Sequence, residues 1–167
     1  MDLKRAIKHG DICVKSSHDL RNKKIIAKLN FFKEIEVETF GKSMFPLFTK
    51  NTKLLIKKKT IEDTLNKYDI ILFYNQSKNK IIAHRIYTIS KLDVTTKGDN
   101  CIKSDTNPIL WENIIGFVVA FWKCGFLIKR KTFMWYFLTV CSLSYSQLKY
   151  TCWVIYHMFC HSTSRKL

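Results

Sequence analysis

Short segments in which apolar and polar residues alternate recur along most of this chain, and they constrain its fold more than any other feature. The first, residues 35–40, alternates strictly and runs into the glycine- and proline-containing stretch 41–46, which should end it. Further short strands, separated by polar turns, are predicted over 53–57, 69–74, 80–90, 92–97, 114–122 and 125–129. Because helical periodicity is almost absent before residue 130, the pattern predicts a mainly β fold, a compact antiparallel domain.

Composition divides the chain into three segments. Residues 1–32 form a basic N-terminal segment with at most a short helix over 24–32, and residues 33–130 hold the predicted strands. Residues 131–167 form a basic, aromatic tail that is predicted to be helical and hydrophobic. A length of 167 residues suits one such domain with appendages and leaves little room for a second catalytic domain.

The tail differs in composition from the rest of the chain, which has a net charge of +16. Residues 113–167 carry seven basic and no acidic side chains, together with 13 of the 23 aromatics, a composition typical of segments next to a membrane or a hydrophobic partner. The uncharged runs 132–148 and 150–164 are each short for a membrane-spanning helix. They favour two interfacial or protein-packed helices, and a single tilted span over 133–160 is the alternative.

Targeting and metal signals are weak. No N-terminal apolar run reaches the roughly 18 residues of a spanning helix, so neither an N-terminal signal nor an anchor is expected, and the predicted location is membrane-associated or cytoplasmic. The six dispersed cysteines are interpreted as free thiols. Cys152, His157, Cys160 and His161 lack the paired short spacings of zinc knuckles, so no metal and no other cofactor is expected.

Three short polar segments, called islands below, contain the residue types that a serine nucleophile site needs. Ser43 lies just past the first strand, His84 lies in an apolar strand, and Asp99 and Asp105 follow Gly98. A serine nucleophile needs a base within hydrogen-bond reach and a third group that orients the base. Each island alone is a weak signal, since serine and aspartate are common turn residues.

In this order and spacing, the islands resemble the catalytic domain of the type I signal peptidases, a family related to the LexA-type self-cleaving proteins. The resemblance runs from about residue 37 to residue 120 and implies a signal-peptidase/LexA-like β fold. Its motifs are Ser43-Met44-x-Pro46, the strand 68–73, His84-Arg85-Ile86, Lys97-Gly98-Asp99-Asn100, Asp105 and Ile115-Gly116-x-Val118-Val119-Ala120.

The resemblance implies a role for each island residue. The endoplasmic-reticulum, archaeal and SipW-like branch of the family has histidine where other members have lysine, and this chain has His84 there. Ser43 would then be the nucleophile, His84 the general base and Asp105 the residue that supports the histidine, with Asp99 as the alternative support. A neutral imidazole is available near neutral pH without the desolvation that a lysine base needs.

The surroundings of the nucleophile are also implied by the resemblance. The backbone N–H of Ser43 would serve as an oxyanion donor, and Met44, Phe45 and Pro46 would line the substrate groove. Many signal peptidases have a serine two residues before the nucleophile, but this chain has Gly41, so that hydroxyl donor is missing.

The sequence therefore predicts a serine endopeptidase, similar to small bacterial signal-peptidase-like proteins, that cleaves an extended leader or signal-type peptide through an acyl-enzyme. The expected partners are a peptide or preprotein substrate and a membrane surface contacted by residues 130–167.

Nucleic acid is not expected, because about 30 residues before the first strand cannot hold a DNA-binding helix-turn-helix and its core. The alternative is a catalytically degenerate peptidase-fold module that binds nucleic acid, membrane or a protein. A small-molecule hydrolase ranks last, since the glycine pair of a nucleophile elbow is absent.

Overall fold

A computed structural model of the protein describes residues 9–76 and 78–163, with side chains for residues 20–76 and 78–154. In these residues the chain forms one long helix, then an antiparallel sheet of eight strands, and then a second long helix. The elements are α1 (His9–Phe31), β1 (Glu34–Glu38), β2 (Lys53–Lys58), β3 (Ile70–Asn75), β4 (Lys80–Ile89), β5 (Asp93–Lys97), β6 (Ile109–Leu110), β7 (Ile114–Lys123), β8 (Phe126–Lys129) and α2 (Phe133–Thr163).

The mainly β, antiparallel architecture with a C-terminal helix is confirmed. The strands are ordered β1-β2-β7-β3-β4-β5-β6, and β8 pairs with β7. The hairpin between β7 and β8 turns at Cys124 and Gly125, whose φ angles of 50° and 81° lie in the left-handed region that favours glycine. Strand β6 was not predicted, because two residues are too short to show alternation.

Apolar side chains form two clusters on the sheet. The first contains the fully buried Ile56, Ile70 and Val118, and it also takes Leu29 of α1 and Trp135 of α2. The second is built on β3, β4, β5 and β7. Both helices therefore bury apolar side chains in the same cluster as the strands, and the boundaries of the three composition segments stay a prediction.

Helix α1 is longer than the sequence pattern indicated. The prediction of at most a short helix over 24–32 is wrong, since α1 spans His9–Phe31. The buried Leu29 and the partly buried Ile25 anchor its second half to the first cluster. Such tertiary packing stabilises a helix whose own sequence lacks a clear apolar stripe.

The tail forms one helix, and the prediction of two separate helices is wrong. Helix α2 is continuous through Lys149, which the sequence reading treated as a break between two uncharged runs. None of the helices in the described part of the chain carries an apolar stretch long enough to cross a membrane. The side chains of His157, Cys160 and His161 lie outside the described residues.

The connection from β2 to β3 is held by Asp63. Its carboxylate accepts hydrogen bonds from Lys57 Nζ (2.6 Å) and from the backbone N–H and hydroxyl of Thr60 (2.9 and 2.8 Å). Burial raises the pKa of Asp63, but the hydrogen bonds from Lys57 and Thr60 outweigh it and lower the pKa to about 2.

We expect Asp63→Asn to lower the free energy of unfolding at pH 7 by roughly 1.5–3 kcal/mol, the usual range for hydrogen bonds to a charged group. The folded pKa of Asp63 lies below the unfolded value of about 3.9, so its stabilisation is complete above about pH 5 and is lost as the pH falls through about 2. The stability difference between the variant and the wild type should therefore shrink over that interval. Urea unfolding at several pH values measures this stability difference. Glu62→Gln, at the exposed neighbouring position, is the control. A difference that does not change with pH would contradict the lowered pKa of Asp63.

Candidate active site

Ser43 lies in the turn that follows β1, and its side chain is half-buried. Its carbonyl oxygen accepts a hydrogen bond from the backbone N–H of Asn100 (2.7 Å). The side-chain amide of Asn100 also donates to the carbonyl of Lys42 (3.0 Å). The turn that carries Ser43 is thus tied to the segment that follows β5.

His84 lies in the middle of β4 and is buried. Its Nδ1 is 2.7 Å from Oδ2 of Asp105, and the hydroxyl of Thr96 donates to the same oxygen (2.5 Å). The backbone N–H of Asp105 donates to the carbonyl of Thr96 (2.8 Å), which holds the aspartate beside β5. The structure therefore pairs His84 with Asp105, at a distance that fits a base and the group that orients it.

Electrostatics select one tautomer of His84. Burial raises the pKa of Asp105, but the hydrogen bonds from His84 and Thr96 outweigh this and lower the pKa below its ordinary value. An ionised carboxylate only accepts hydrogen bonds, so the proton of a neutral His84 lies on Nδ1. Nε2 is left with a free lone pair, as a general base requires.

Gly98 brings the serine and histidine islands together. A Cβ placed on Gly98 would lie 2.6 Å from the carbonyl oxygen of Ser43 and 3.0 Å from Nε2 of His84. Gly98 also begins the turn of residues 98–101, since its carbonyl accepts a hydrogen bond from the N–H of Cys101 (2.9 Å). Its φ is not in the left-handed region, so the position needs glycine for close packing and not for its backbone conformation. Within the described residues, no hydrogen bond joins Ser43 Oγ to His84.

Asp99, the alternative partner of His84, is instead paired with Arg85. Nε and Nη2 of Arg85 donate to the two carboxylate oxygens at 2.9 and 2.8 Å, and both side chains are at most 2% exposed. Nη1 of Arg85 donates to the carbonyl of Tyr68 (2.8 Å). Asp99 thus belongs to a buried ion pair beside the His84–Asp105 pair.

The predicted groove residues differ in their surroundings. Met44 lies in the first apolar cluster, and Phe45 is 41% exposed and stacks edge-on against Tyr145 of α2 (5.7 Å between ring centroids). The carbonyl of the half-buried Pro46 accepts a hydrogen bond from Lys123 (2.8 Å). Of the three, Phe45 and Pro46 are the ones with surface open to a ligand.

An unpaired strand edge leads to His84. β4 pairs with β3 over residues 80–85 and with β5 only from residue 85 onward, so the other edge of residues 80–84 has no strand partner in the described chain. Helix α1 covers this edge through Asn22, whose side chain accepts from the N–H of Ile81 (3.2 Å) and donates to the carbonyl of Asn79 (3.0 Å).

Sequence reasoning missed Thr96, Asn100 and Lys149 as site residues. Nζ of Lys149 donates to the backbone and side-chain oxygens of Asn100 (3.0 and 2.8 Å). For Lys149 the sequence does contain a signal, because it is the only charged residue between 132 and 164. A lone charge within an apolar run indicates a specific partner.

No family model matches the chain. A protein named Signal peptidase I W from Bacillus subtilis (strain 168) is 38% identical over 76 residues, which cover 43% of this chain and 40% of that protein. The chain thus aligns with less than half the length of this curated relative. Over the aligned residues the chain is therefore similar to a signal peptidase.

Proposed function

We propose that the protein is a serine endopeptidase of the signal-peptidase type, with Ser43 as nucleophile, His84 as general base and Asp105 as the residue that orients His84. The observation that carries the proposal is the part-buried His84–Asp105 hydrogen bond, together with Gly98, against which both Nε2 of His84 and the carbonyl oxygen of Ser43 lie. The partial similarity to Signal peptidase I W supports the same reaction class.

In the proposed reaction, Oγ of Ser43 attacks the scissile carbonyl carbon while its proton passes to Nε2 of His84. The ionised Asp105 stabilises the imidazolium that forms. Collapse of the tetrahedral intermediate breaks the C–N bond, and the leaving amine takes the proton from His84. Water, deprotonated by His84, then hydrolyses the ester on Ser43 and regenerates both groups.

The unpaired edge of β4 is the proposed binding place for the substrate backbone. An extended peptide adds to such an edge through main-chain hydrogen bonds, and this edge ends at His84. Asn22 now occupies the N–H of Ile81 and the carbonyl of Asn79, so α1 has to shift for a peptide to pair there.

The outer face of α2 carries exposed apolar side chains, among them Phe133 (82% exposed), Phe137, Val140 and Leu148. We include a membrane surface as the proposed partner of this face, since the tail has basic but no acidic residues. The degenerate binding module remains the alternative function, and loss of Ser43 separates the two.

The test is covalent labelling by an acylating peptidyl β-lactam, read by intact mass. We expect one label on the wild type and at least a roughly 1,000-fold slower reaction in both Ser43→Ala and His84→Ala, because each removes an essential member of the reacting unit. Ser104→Ala, at an exposed serine beside Asp105, is the matched control and should react like the wild type.

Two outcomes would count against the proposal. A folded wild type that stays unlabelled would favour the binding module. A label that persists in Ser43→Ala would indicate another nucleophile, and Cys101 is the one to examine because its Sγ lies against Gly98. Burial and the nearby Asp105 raise the pKa of that thiol, so we expect little thiolate there at neutral pH.

A further inference from the structure

Helix α2 contacts the proposed active site through a stripe of polar residues. Thr139, Ser142 and Ser146 are all buried, although their side chains are polar. Lys149 continues the stripe, seven residues and so about two turns beyond Ser142, on the same face. Near its start α2 packs Trp135 and Leu138 into the first apolar cluster. From Thr139 to Lys149 the side chains that face the β domain are mainly polar, whereas Val140 and Leu148 are exposed.

The stripe binds the turn formed by residues 98–101. The hydroxyl of Ser142 donates to Oδ2 of Asp99 (2.5 Å). Nζ of Lys149 donates to both oxygens of the next residue, Asn100, at 3.0 and 2.8 Å. Two consecutive residues of the 98–101 turn are thus held by α2.

The other side of the same turn holds the nucleophile. Asn100 donates its backbone N–H to the carbonyl of Ser43 and its side-chain amide to the carbonyl of Lys42. The amide of Asn100 is therefore a bridge, with Oδ1 on Lys149 and Nδ2 on the Lys42 carbonyl. Since an ammonium group only donates, Lys149 fixes which way this amide points.

We propose that Lys149 is a positioning residue, which acts through Asn100 to hold the backbone of Ser43 in its reactive place. The proposal rests on the proposed function at Ser43. If Lys149 has this role, the C-terminal helix α2 takes part in positioning the nucleophile and also presents an exposed apolar face. The edge contact between Tyr145 and Phe45 joins α2 to the nucleophile's own segment in the same region.

Lys149→Met tests the proposal in the full-length chain. Loss of the ammonium group frees the Asn100 amide to rotate, and misplacement of a reacting atom by about 1 Å can cost about 100-fold in rate. We expect the labelling rate at saturating peptidyl β-lactam to fall 10- to 100-fold, as an order-of-magnitude estimate, while the half-saturating concentration stays nearly unchanged. Lys149→Arg, which keeps donors at this position, should recover part of the rate.

The matched control is Lys131→Met, which removes an exposed lysine beside the start of α2. Amide hydrogen exchange provides a second readout that does not depend on activity: exchange at the Asn100 N–H should accelerate in Lys149→Met and not in Lys131→Met. A purely structural role would predict labelling that follows the folded fraction, so circular dichroism and urea unfolding are measured for each variant.

The outcomes separate the two proposals. A wild type that labels at Ser43 together with a Lys149→Met variant that labels at the same rate would overturn the positioning role alone. An equal rate loss in Lys131→Met would also overturn it, because net charge would then be the cause. A folded wild type that does not label would overturn the proposed function and, with it, the positioning role.

Discussion

Replacing Arg85 by methionine is expected to lower the free energy of unfolding by roughly 3–5 kcal/mol, the usual cost of removing one partner of a buried ion pair. Arg85 and Asp99 form a bidentate pair in which both side chains are at most 2% exposed. Without the guanidinium, Asp99 keeps the Ser142 hydroxyl as a hydrogen-bond donor but has no counter-charge there. Urea unfolding with a check of the m value measures the loss.

Two further variants test whether this loss of stability comes from leaving a buried charge unpaired. Arg85→Met combined with Asp99→Leu removes both charges and should recover part of the stability, because an apolar pair avoids the unpaired carboxylate. Lys53→Met breaks an exposed ion pair, in which the side chains of Lys53 and Glu36 are 52% and 44% exposed. This variant should lower the free energy of unfolding by less than about 1 kcal/mol. Equal losses in Arg85→Met and Lys53→Met would show that burial of the Arg85–Asp99 pair does not matter.

Gly98→Ala is expected to slow acylation of Ser43 by roughly 100-fold or more, the cost of moving reacting groups by about 1 Å. The added methyl group would lie 2.6 Å from the carbonyl oxygen of Ser43 and 3.0 Å from Nε2 of His84, so the backbone or the base has to move. Labelling kinetics by intact mass, normalised to the folded fraction, measure the effect.

The chain offers two matched glycines for this experiment. At Gly41 a Cβ would lie 3.9 Å from the backbone nitrogen of Ser43, an ordinary contact, so Gly41→Ala should label at nearly the wild-type rate. At Gly116 a Cβ would lie 2.6 Å from the carbonyl of Lys57, so Gly116→Ala should lower stability without a specific loss of rate. If Gly98→Ala reacts like Gly41→Ala, the close packing at Gly98 has no role in the site.

The β architecture was predictable because its signal is local. Strands such as β1, in which Ile35 and Val37 alternate with glutamates, show the period of two directly in the sequence. The full length of α1 was not predictable, since its first half carries no apolar stripe and its second half depends on burial of Leu29. The continuity of α2 was missed because Lys149 divides two uncharged runs in the sequence, whereas in the fold it stays within the helix and donates hydrogen bonds to Asn100 of the β domain.

The candidate site shows the same division between local and tertiary information. Ser43, His84 and the two aspartates stand out in the sequence. Which aspartate pairs with His84 depends, however, on which one forms the ion pair with Arg85. That pairing forms across β4 and the segment after β5, and no spacing along the chain specifies it. The bridge from Lys149 through Asn100 to Ser43 joins residues far apart in sequence, which explains why sequence reasoning did not find it.

The contacts of α1 have a consequence for self-association. Exposed strand edges are templates on which a second copy of a chain can add its own strand, and natural sheets therefore cover or block them. Asn22 covers the β4 edge at Ile81, and Arg21 donates to the carbonyl of Glu38 at the end of β1 (2.8 Å). Helix α1 thus covers the β4 edge at the point where a strand of a second copy would pair, and a peptide that displaced the helix would cover the same edge in its place.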